Sequence, residues 1–260
     1  AGYEVPTTWQ EMVDLSKQMV EDGETPWCVG IESGGATGWP ATDWIENIML
    51  RTASLDDYQS WIKGDIKFDS PQVRRAIDIM SEIWFTDGFV YGGRSAIATT
   101  NFGEAVKPLF YDVDGCMMFT LGNFATAFFP EDAVPAVDYD VFYLPTIDEE
   151  FGTPYLGGGD VYSMFKGHDR DEVKAVLEFF THGESLKVWL QNGGALFPGR
   201  DADPSWYANA TDAKISEMIN NATSFSFDGS DMMPVSVGSG TFWKGMTDLV
   251  TGSDVDTVVS

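Results

Sequence analysis

The sequence alternates between amphipathic helices with clear start signals and short apolar segments typical of strands. Thr8 followed by Glu11 forms a capping box ahead of an apolar stripe, and Ser70 with Pro71 supplies a cap and a first-turn proline to another helix. Apolar segments such as 27–31 and 116–121 lie between the helices. Helices that alternate with strands predict an α/β fold in which the helices pack on the faces of a sheet.

The same signals assign most of the chain. Strands are expected at 27–31, 116–121 and 139–144 and within 154–165. Helices are expected at 8–23, 42–50, 55–62, 71–84, 101–110, 169–181, 184–191, 211–221 and 241–251.

Charge excludes two classes of partner. The 260 residues carry 41 acidic and 15 basic side chains, for a formal charge of -26. Nucleic acids and anionic membrane surfaces both require a positive protein face, so neither is expected as a partner.

No apolar run reaches the length of a membrane span, which is roughly 18 residues. Hydrophobic residues make up 43% of the chain, which is ample for a packed core.

Three tryptophans lie among small and polar residues instead of in apolar stripes. Trp39 and Trp44 occur in the segment 34–44, which also holds three glycines, and Trp243 follows Gly238 and Gly240. A ring in such a setting either plugs a loop against the core or presents a flat face to a ligand. Sugars fit such a face, because a pyranose has an apolar side and a rim of hydroxyls.

Signals for catalysis are weak. His168 and His182 lack metal-ligand spacing, the glycine runs lack a phosphate-binding signature, and no cofactor is expected. Three acids, Glu32, Asp43 and Asp160, stand beside glycines or aromatic residues. A glycosidase needs two such carboxyls about 5 to 9 Å apart, but the same side chains can bind sugar hydroxyls without chemistry. Both alternatives remain open from the residues alone.

A series of short motifs runs along nearly the whole chain. The motifs are Pro6–Met12, Trp39-Pro40 after a glycine-rich turn, Asn101–Ala105, Gly122–Phe124, Tyr143–Pro145, Leu156–Asp160, Met233-Pro234 and Gly240–Met246. Their order and spacing resemble those of the extracellular solute-binding proteins that serve ABC sugar importers. The Trp27-Cys28 pair, the Gly157–Asp160 run and the final Gly-Thr-Phe-Trp-Lys-Gly-Met segment are most similar to the α-glucoside-binding subgroup.

The resemblance implies the two-lobed α/β periplasmic-binding-protein type II architecture, represented mainly by its second lobe. Residues 5–150 and 205–260 would form that lobe, and 151–204 would cross to a first lobe that is mostly absent. The apolar stripes of 169–191 would then lack their usual partner. Self-association of the fragment is expected for that reason.

The resemblance also implies a function. The protein would bind an oligosaccharide, in particular an α-glucoside, between the lobes and deliver it to the membrane subunits of an ABC permease, without catalysis. It would act in the periplasm or outside the cell, with a lipid anchor left open. Trp39, Phe124 and Trp243 would stack on the sugar, and Asp43, Asn123 and Asp160 would bind its hydroxyls. Trp44 and Phe242 complete the expected ligand-binding set.

Two rival functions are kept. The same fold can bind a polyamine or a peptide, because fold does not fix the ligand. The alternative function among enzymes is that of a secreted glycoside hydrolase.

Two cysteines, Cys28 and Cys116, are too few for a disulfide scaffold and too distant for a local metal clip. From the residues alone, buried thiols and a single disulfide are equally good interpretations. The resemblance places both in one sheet of a secreted protein and so implies a disulfide between them.

Overall fold

The computed structural model describes residues 2–159, 161–197 and 199–260. Within them the chain forms two compact units. The larger unit comprises residues 2–130, Phe142–Gly157 and Thr223–Ser260, and the smaller unit comprises Glu131–Val141 and Gly158–Ala222. Residues 205–222, which the sequence assigned with 5–150, therefore cluster with the smaller unit.

Local capping starts the first helices of the larger unit. Helix α1, Trp9–Glu21, begins with the predicted capping box, in which Glu11 N donates to Thr8 Oγ1 at 3.2 Å and Thr8 N donates to Glu11 Oε2 at 3.1 Å. Ser54 Oγ accepts a hydrogen bond from Asp57 N at the start of helix α3, Leu55–Ile62. Ser70 caps helix α4, Pro71–Trp84, which has the predicted proline in its first turn. The predicted start signals of α1 and α4 are confirmed, because each signal acts within one turn of the helix start.

Helix α2, Trp39–Leu50, starts earlier than predicted. Gly38 precedes it with a φ of 111°, and Pro40 occupies its first turn. The predicted helix start at Thr42 is wrong, because Thr42 lies inside the first turn, where its hydroxyl donates to the Trp39 carbonyl at 2.9 Å. The earlier start puts Trp39 on a helix instead of in a loop.

Strands are short and pair in parallel. Strand β1, Trp27–Cys28, pairs with β2, Met118–Phe119, and β3, Tyr155–Gly157, pairs with β4, Phe225–Phe227. The described part of the chain forms no strand at 139–144. There the Leu144 carbonyl accepts a hydrogen bond from the Arg51 Nε at 3.1 Å. The buried guanidinium of Arg51 thus supplies the donor that a neighbouring strand would provide.

The remaining elements of the larger unit are short and lie within residues 94–110 and near the C-terminus. Helix α5, Arg94–Ile97, is followed by turns where a helix at 101–110 was predicted, and only Lys107–Phe110 forms a short 3₁₀ helix there. Near the C-terminus come α9, Gly229–Met232, a π-helical segment, Ser236–Phe242, and then α10, Trp243–Thr251, and α11, Val255–Val259.

Aromatic edges interlock in the core of the larger unit. Trp27 and Trp84 both meet Trp44 edge to face, with ring centroids 5.3 and 5.4 Å apart. Trp61 likewise meets Phe242 at 5.5 Å. Such pairs add about 1 kcal/mol each to the burial of apolar area, so they hold the helices in a fixed arrangement.

The smaller unit is helical and has a small core. It contains α6, Asp171–Phe179, α7, Gly183–Asn192, and α8, Ala210–Asn221. Leu190, Phe197 and Tyr207 form its buried cluster. Large apolar side chains on α6 and α7 remain exposed, namely Val176, Phe179, Val188 and Trp189.

A disulfide joins Cys28 and Cys116 in the structure. Their Cα atoms lie 5.5 Å apart, and the two residues are 88 positions apart in sequence. We expect mass spectrometry of the non-reduced protein to find the two peptides linked. Reduction should lower the free energy of unfolding by about 4 kcal/mol, because the cross-link restricts the unfolded chain. Labelling of two free thiols after unfolding of the non-reduced protein would contradict the bond.

Candidate ligand-binding site

One face of α2 carries an aromatic ring and two acids. Trp39, Asp43 and Glu46 occupy positions i, i+4 and i+7, which lie above one another on a helix. Trp39 and Asp43 are partly exposed, whereas Glu46 has no exposed surface. The face therefore runs from a ring accessible to solvent to a buried carboxyl.

Gly38 brings the start of α10 against the start of α2. A Cβ atom at position 38 would lie 2.2 Å from the Trp243 carbonyl oxygen and 2.9 Å from Thr247 Oγ1. Thr247 Oγ1 in turn donates to the Trp243 carbonyl at 3.0 Å. Only glycine fits both the space and the positive φ, so this contact fixes where Trp243 sits relative to α2.

Aromatic side chains gather around Trp39. Its ring meets Phe102 edge to face at 5.2 Å and Phe124 at 6.0 Å between centroids. Phe124 is 43% exposed and follows Asn123 in a 3₁₀ helix, Asn123–Phe128. The structure thus brings together Trp39 and Phe124 of the expected set. Phe102 was missed, because the turns that hold it were read as an ordinary helix.

The loop before α2 is held by side chains. Glu32 accepts hydrogen bonds from Gly34 N at 2.7 Å and Asn101 Nδ2 at 2.9 Å, and these bonds lower the pKa of its carboxyl. Ser33 N donates to Thr37 Oγ1 at 3.0 Å. Glu32 is therefore an ionised acceptor in a structural role, which does not suit it to act as a general acid.

Asp43 faces other carboxyls. Its pKa is raised well above the usual value, first by burial of the carboxyl and then by Asp228 and Asp231, and it hydrogen-bonds to Asp228. The raised pKa favours the protonated form of Asp43, which is the form that a hydrogen bond between two carboxyls requires. Its Oδ1 atom is buried and has no hydrogen-bond partner among the described residues. The site therefore offers a carboxyl whose protonated form is favoured, beside a second carboxyl.

Glu46 accepts hydrogen bonds from three donors. Gly229 N lies 2.6 Å from its Oε2, Ser230 N lies 2.9 Å from its Oε1, and the Tyr58 hydroxyl donates to Oε2 at 3.1 Å. Burial and the nearby Asp228 raise the pKa of Glu46, and the two backbone N–H groups oppose that rise. The carboxyl joins α2 directly to the start of α9.

Trp243 is partly exposed at the start of α10. Its Nε1 donates to Ser230 Oγ at 3.4 Å, and Ser230 Oγ donates to Asp228 Oδ1 at 2.9 Å. The expected site residue Trp243 is thus linked to the same segment that Glu46 holds.

Two residues of the expected set lie in the core. Trp44 is 3% exposed between Trp27 and Trp84, and Phe242 is 3% exposed against Trp61 and Phe68. Both rings pack against other rings of the same unit and have almost no exposed surface, so we remove both from the candidate site. Asp160, also expected to bind ligand, lies outside the described residues.

Sequence reasoning missed Glu46, Asp228 and Ser230. The i, i+4, i+7 spacing from Trp39 was a usable signal for Glu46. No comparable signal marks Asp228 or Ser230, because their partners lie far away in sequence. In the part of the chain that the structure describes, no three metal-binding side chains form a group that could hold an ion, and no helix is long and apolar enough to cross a membrane.

Comparison with protein families gives a clear match. Residues 1–182 match the model of a family described as bacterial extracellular solute-binding protein. The chain is 43% identical over 253 residues to the osmoprotective compounds-binding protein GgtB of Synechocystis sp.. It is 41% identical over 256 residues to the alpha-glucosides-binding periplasmic protein AglE of Rhizobium meliloti.

These matches cover almost all of this chain but only part of each relative. Both span 97% of the chain, which corresponds to 59% of the length of GgtB and 55% of that of AglE.

Solved structures share the fold at low sequence identity. The bacterial solute receptor AcbH, described with a preference for β-D-galactopyranose, superimposes with a TM-score of 0.79 at 20% identity, over 99% of this chain and 64% of AcbH. A chitin oligosaccharide binding protein gives 0.72 at 18% identity, over 98% of this chain and 63% of its own.

Proposed function

We propose, because this chain belongs to the bacterial extracellular solute-binding protein family, that it is part of the substrate-binding component of an ABC importer and binds an α-glucoside. The resemblance seen in the sequence and the periplasmic-binding-protein fold are both confirmed by the family match and the solved structures. The ligand and the transport role are the proposal.

One observation carries the choice of a sugar. Partly exposed rings, Trp39, Phe124 and Trp243, lie in the same unit as the hydrogen-bonding carboxyl of Asp43, which shares a helix face with Trp39. A pyranose stacks its apolar face on a ring and hydrogen-bonds through its hydroxyls. Burial of each ring face against a sugar is worth on the order of 1 to 3 kcal/mol.

Each residue has a proposed role. Trp39, Phe124 and Trp243 would stack on sugar rings, and Asp43 and Asn123 would hydrogen-bond hydroxyls, with Asp160 added from the sequence alone. Asp43, as a neutral acid, can donate as well as accept. Trp39, Asp43, Asn123, Phe124 and Trp243 would line part of a ligand cleft in the full-length protein.

The name of one relative supports a glucoside. AglE is named for alpha-glucosides, whereas GgtB is named for osmoprotective compounds. We further propose that the full-length protein works in the periplasm or outside the cell, where it would hand the ligand to permease subunits in the membrane. A lipid anchor would be consistent with that location.

Calorimetry of the full-length protein tests the proposal. We expect saturable binding of maltose, trehalose or sucrose and no heat with spermidine or a short peptide. Saturable binding of spermidine or of the peptide, without sugar binding, would establish the rival ligand class on the same fold. Turnover of an aryl glucoside would show a hydrolase instead.

The neutral state of Asp43 predicts a pH dependence of stability. The unfolded chain holds this proton only up to pH values near 3.8. At higher pH the folded state binds one proton more than the unfolded chain, so this site's contribution to the free energy of unfolding falls as pH rises, until Asp43 ionises in the folded protein.

Asp43→Asn removes that titration and keeps an N–H donor toward Asp228. We therefore expect the stability of the variant, measured relative to the parent by urea unfolding, to increase as pH rises above 3.8 and to level off once Asp43 ionises in the folded parent. Asp87→Asn on the exposed surface is the control and should show no such trend. A constant difference between Asp43→Asn and the parent would mean that Asp43 is ionised in the folded protein.

A further inference from the structure

Glu46 is a fully buried acid between α2 and the start of α9. Burying a carboxyl costs more than burying an apolar group of similar size, unless its hydrogen bonds compensate. The partners that satisfy such a carboxyl are therefore candidates for a geometric role.

The hydrogen bonds of Glu46 lead to a short stretch of backbone. Both carboxyl oxygens accept from consecutive N–H groups, those of Gly229 and Ser230, so the carboxyl holds two peptide planes at once. A Cβ atom at position 229 would lie 2.9 Å from the Tyr58 hydroxyl and 3.4 Å from the Glu46 carboxyl carbon. The backbone therefore lies directly against this acid.

The same stretch is confined from the other side. A Cβ atom at Gly238 would lie 1.8 Å from the Ser230 carbonyl oxygen. Ser230 is thus fixed between Glu46 on one side and the π-helical segment on the other. A change at Glu46 would be transmitted to Ser230 instead of being absorbed by loose packing.

One proposed ligand-binding group depends on this stretch. Ser230 Oγ accepts a hydrogen bond from Trp243 Nε1 at 3.4 Å, and it donates to Asp228 Oδ1 at 2.9 Å. Asp228 Oδ1 also accepts from Asp231 N at 3.0 Å. Glu46 makes none of these three bonds, so its effect on Trp243 passes through Ser230.

We infer that Glu46 is a positioning residue for Trp243 on the proposed sugar-binding face, because it holds the backbone of Gly229 and Ser230 and Ser230 in turn orients Trp243. This inference rests on the proposed function for its effect on affinity, but not for its effect on the position of Trp243. Glutamine at position 46 has one acceptor oxygen, so its amide would face a backbone N–H group and one of the two bonds would be lost.

The first test is independent of any ligand. The full-length protein is labelled with 5-fluorotryptophan, and Trp243→Phe identifies the fluorine NMR signal of Trp243. We expect Glu46→Gln to shift or broaden that signal. Tyr58→Phe, which removes one donor to the same carboxyl but leaves both backbone bonds, should leave it in place. An unchanged Trp243 signal in folded Glu46→Gln protein would overturn the inference.

The second test uses the affinity for whichever sugar binds among maltose, trehalose and sucrose. Glu46→Gln should weaken binding about tenfold, the effect of losing one buried hydrogen bond, while Tyr58→Phe should change it less than about twofold. Ser230→Ala keeps the backbone N–H and removes the hydroxyl that meets Trp243. If Glu46 acts through Ser230, the combined variant should lose less affinity than the sum of the two single changes.

The two tests separate the possible failures. A parent protein that binds no sugar would refute the proposed function and leave the fluorine result to decide the positioning role. Fully additive affinity losses, or equal losses from Tyr58→Phe and Glu46→Gln, would contradict positioning through residues 228–230.

Discussion

Replacement of Trp39 or Trp243 by alanine should lower the sugar affinity of the full-length protein by about 100-fold, because a ring at the centre of a binding face carries a large share of the binding energy. Both rings are partly exposed, and Trp39 has aromatic neighbours that stay in place when it is removed. Calorimetry with the sugar that the parent binds measures the loss.

Tyr91→Ala serves as the matched control, since Tyr91 is an aromatic residue of the same unit that is 39% exposed and lies outside the candidate site. It should leave affinity unchanged. A Trp39 or Trp243 variant that unfolds cooperatively and binds as tightly as the parent would remove that residue from the site. Because Trp39 packs on Phe102 and Phe124, Trp39→Phe provides a second, milder variant if the alanine change prevents folding.

Gly38→Ala should destabilise the protein by about 3 kcal/mol or more, because a side chain there meets backbone and not a flexible neighbour. The residue has a φ of 111°, which alone disfavours alanine by about 1 kcal/mol or more, and its Cβ would lie 2.2 Å from the Trp243 carbonyl oxygen. Relief of that clash requires α2 and α10 to move apart. Urea unfolding measures the loss of stability.

Gly35→Ala is the control three positions away. Nothing lies within 4 Å of a Cβ atom at position 35, and its φ is not positive, so its stability should stay within about 0.5 kcal/mol of the parent. If Gly38→Ala protein proves as stable as Gly35→Ala protein, the close contact between the starts of α2 and α10 is wrong. A folded Gly38→Ala variant should also bind sugar more weakly, because Trp39 and Trp243 flank that contact.

Helix starts were predictable because their signals are satisfied locally. Thr8 and Glu11 satisfy each other's backbone donors within one turn, and Ser70 caps the helix that Pro71 opens. Strands were less predictable, because pairing joins distant segments. Trp27 pairs with Met118, far away in sequence. The segment 139–144, predicted as a strand, forms none, and its Leu144 carbonyl instead accepts a hydrogen bond from the guanidinium of Arg51.

The candidate site was predictable in part. The small and polar neighbours of Trp39, Trp44 and Trp243 look alike in sequence, yet Trp44 is enclosed by Trp27 and Trp84 while the other two rings keep exposed surface. The sequence by itself determined the helix caps, the α/β class, the family and the aromatic residues from which a sugar site would be built, since these depend on residues close in the chain or on motif order.

Only the tertiary structure decided which rings face outward and which acids face one another. Asp43 and Asp228, and Glu46 and Ser230, meet across more than 180 positions of sequence. Burial and hydrogen bonding depend on such distant neighbours, and a local pattern carries no information about them. The starting point of α2 was decided in the same way, because Gly38 is required by the approach of Trp243 and not by any residue next to it.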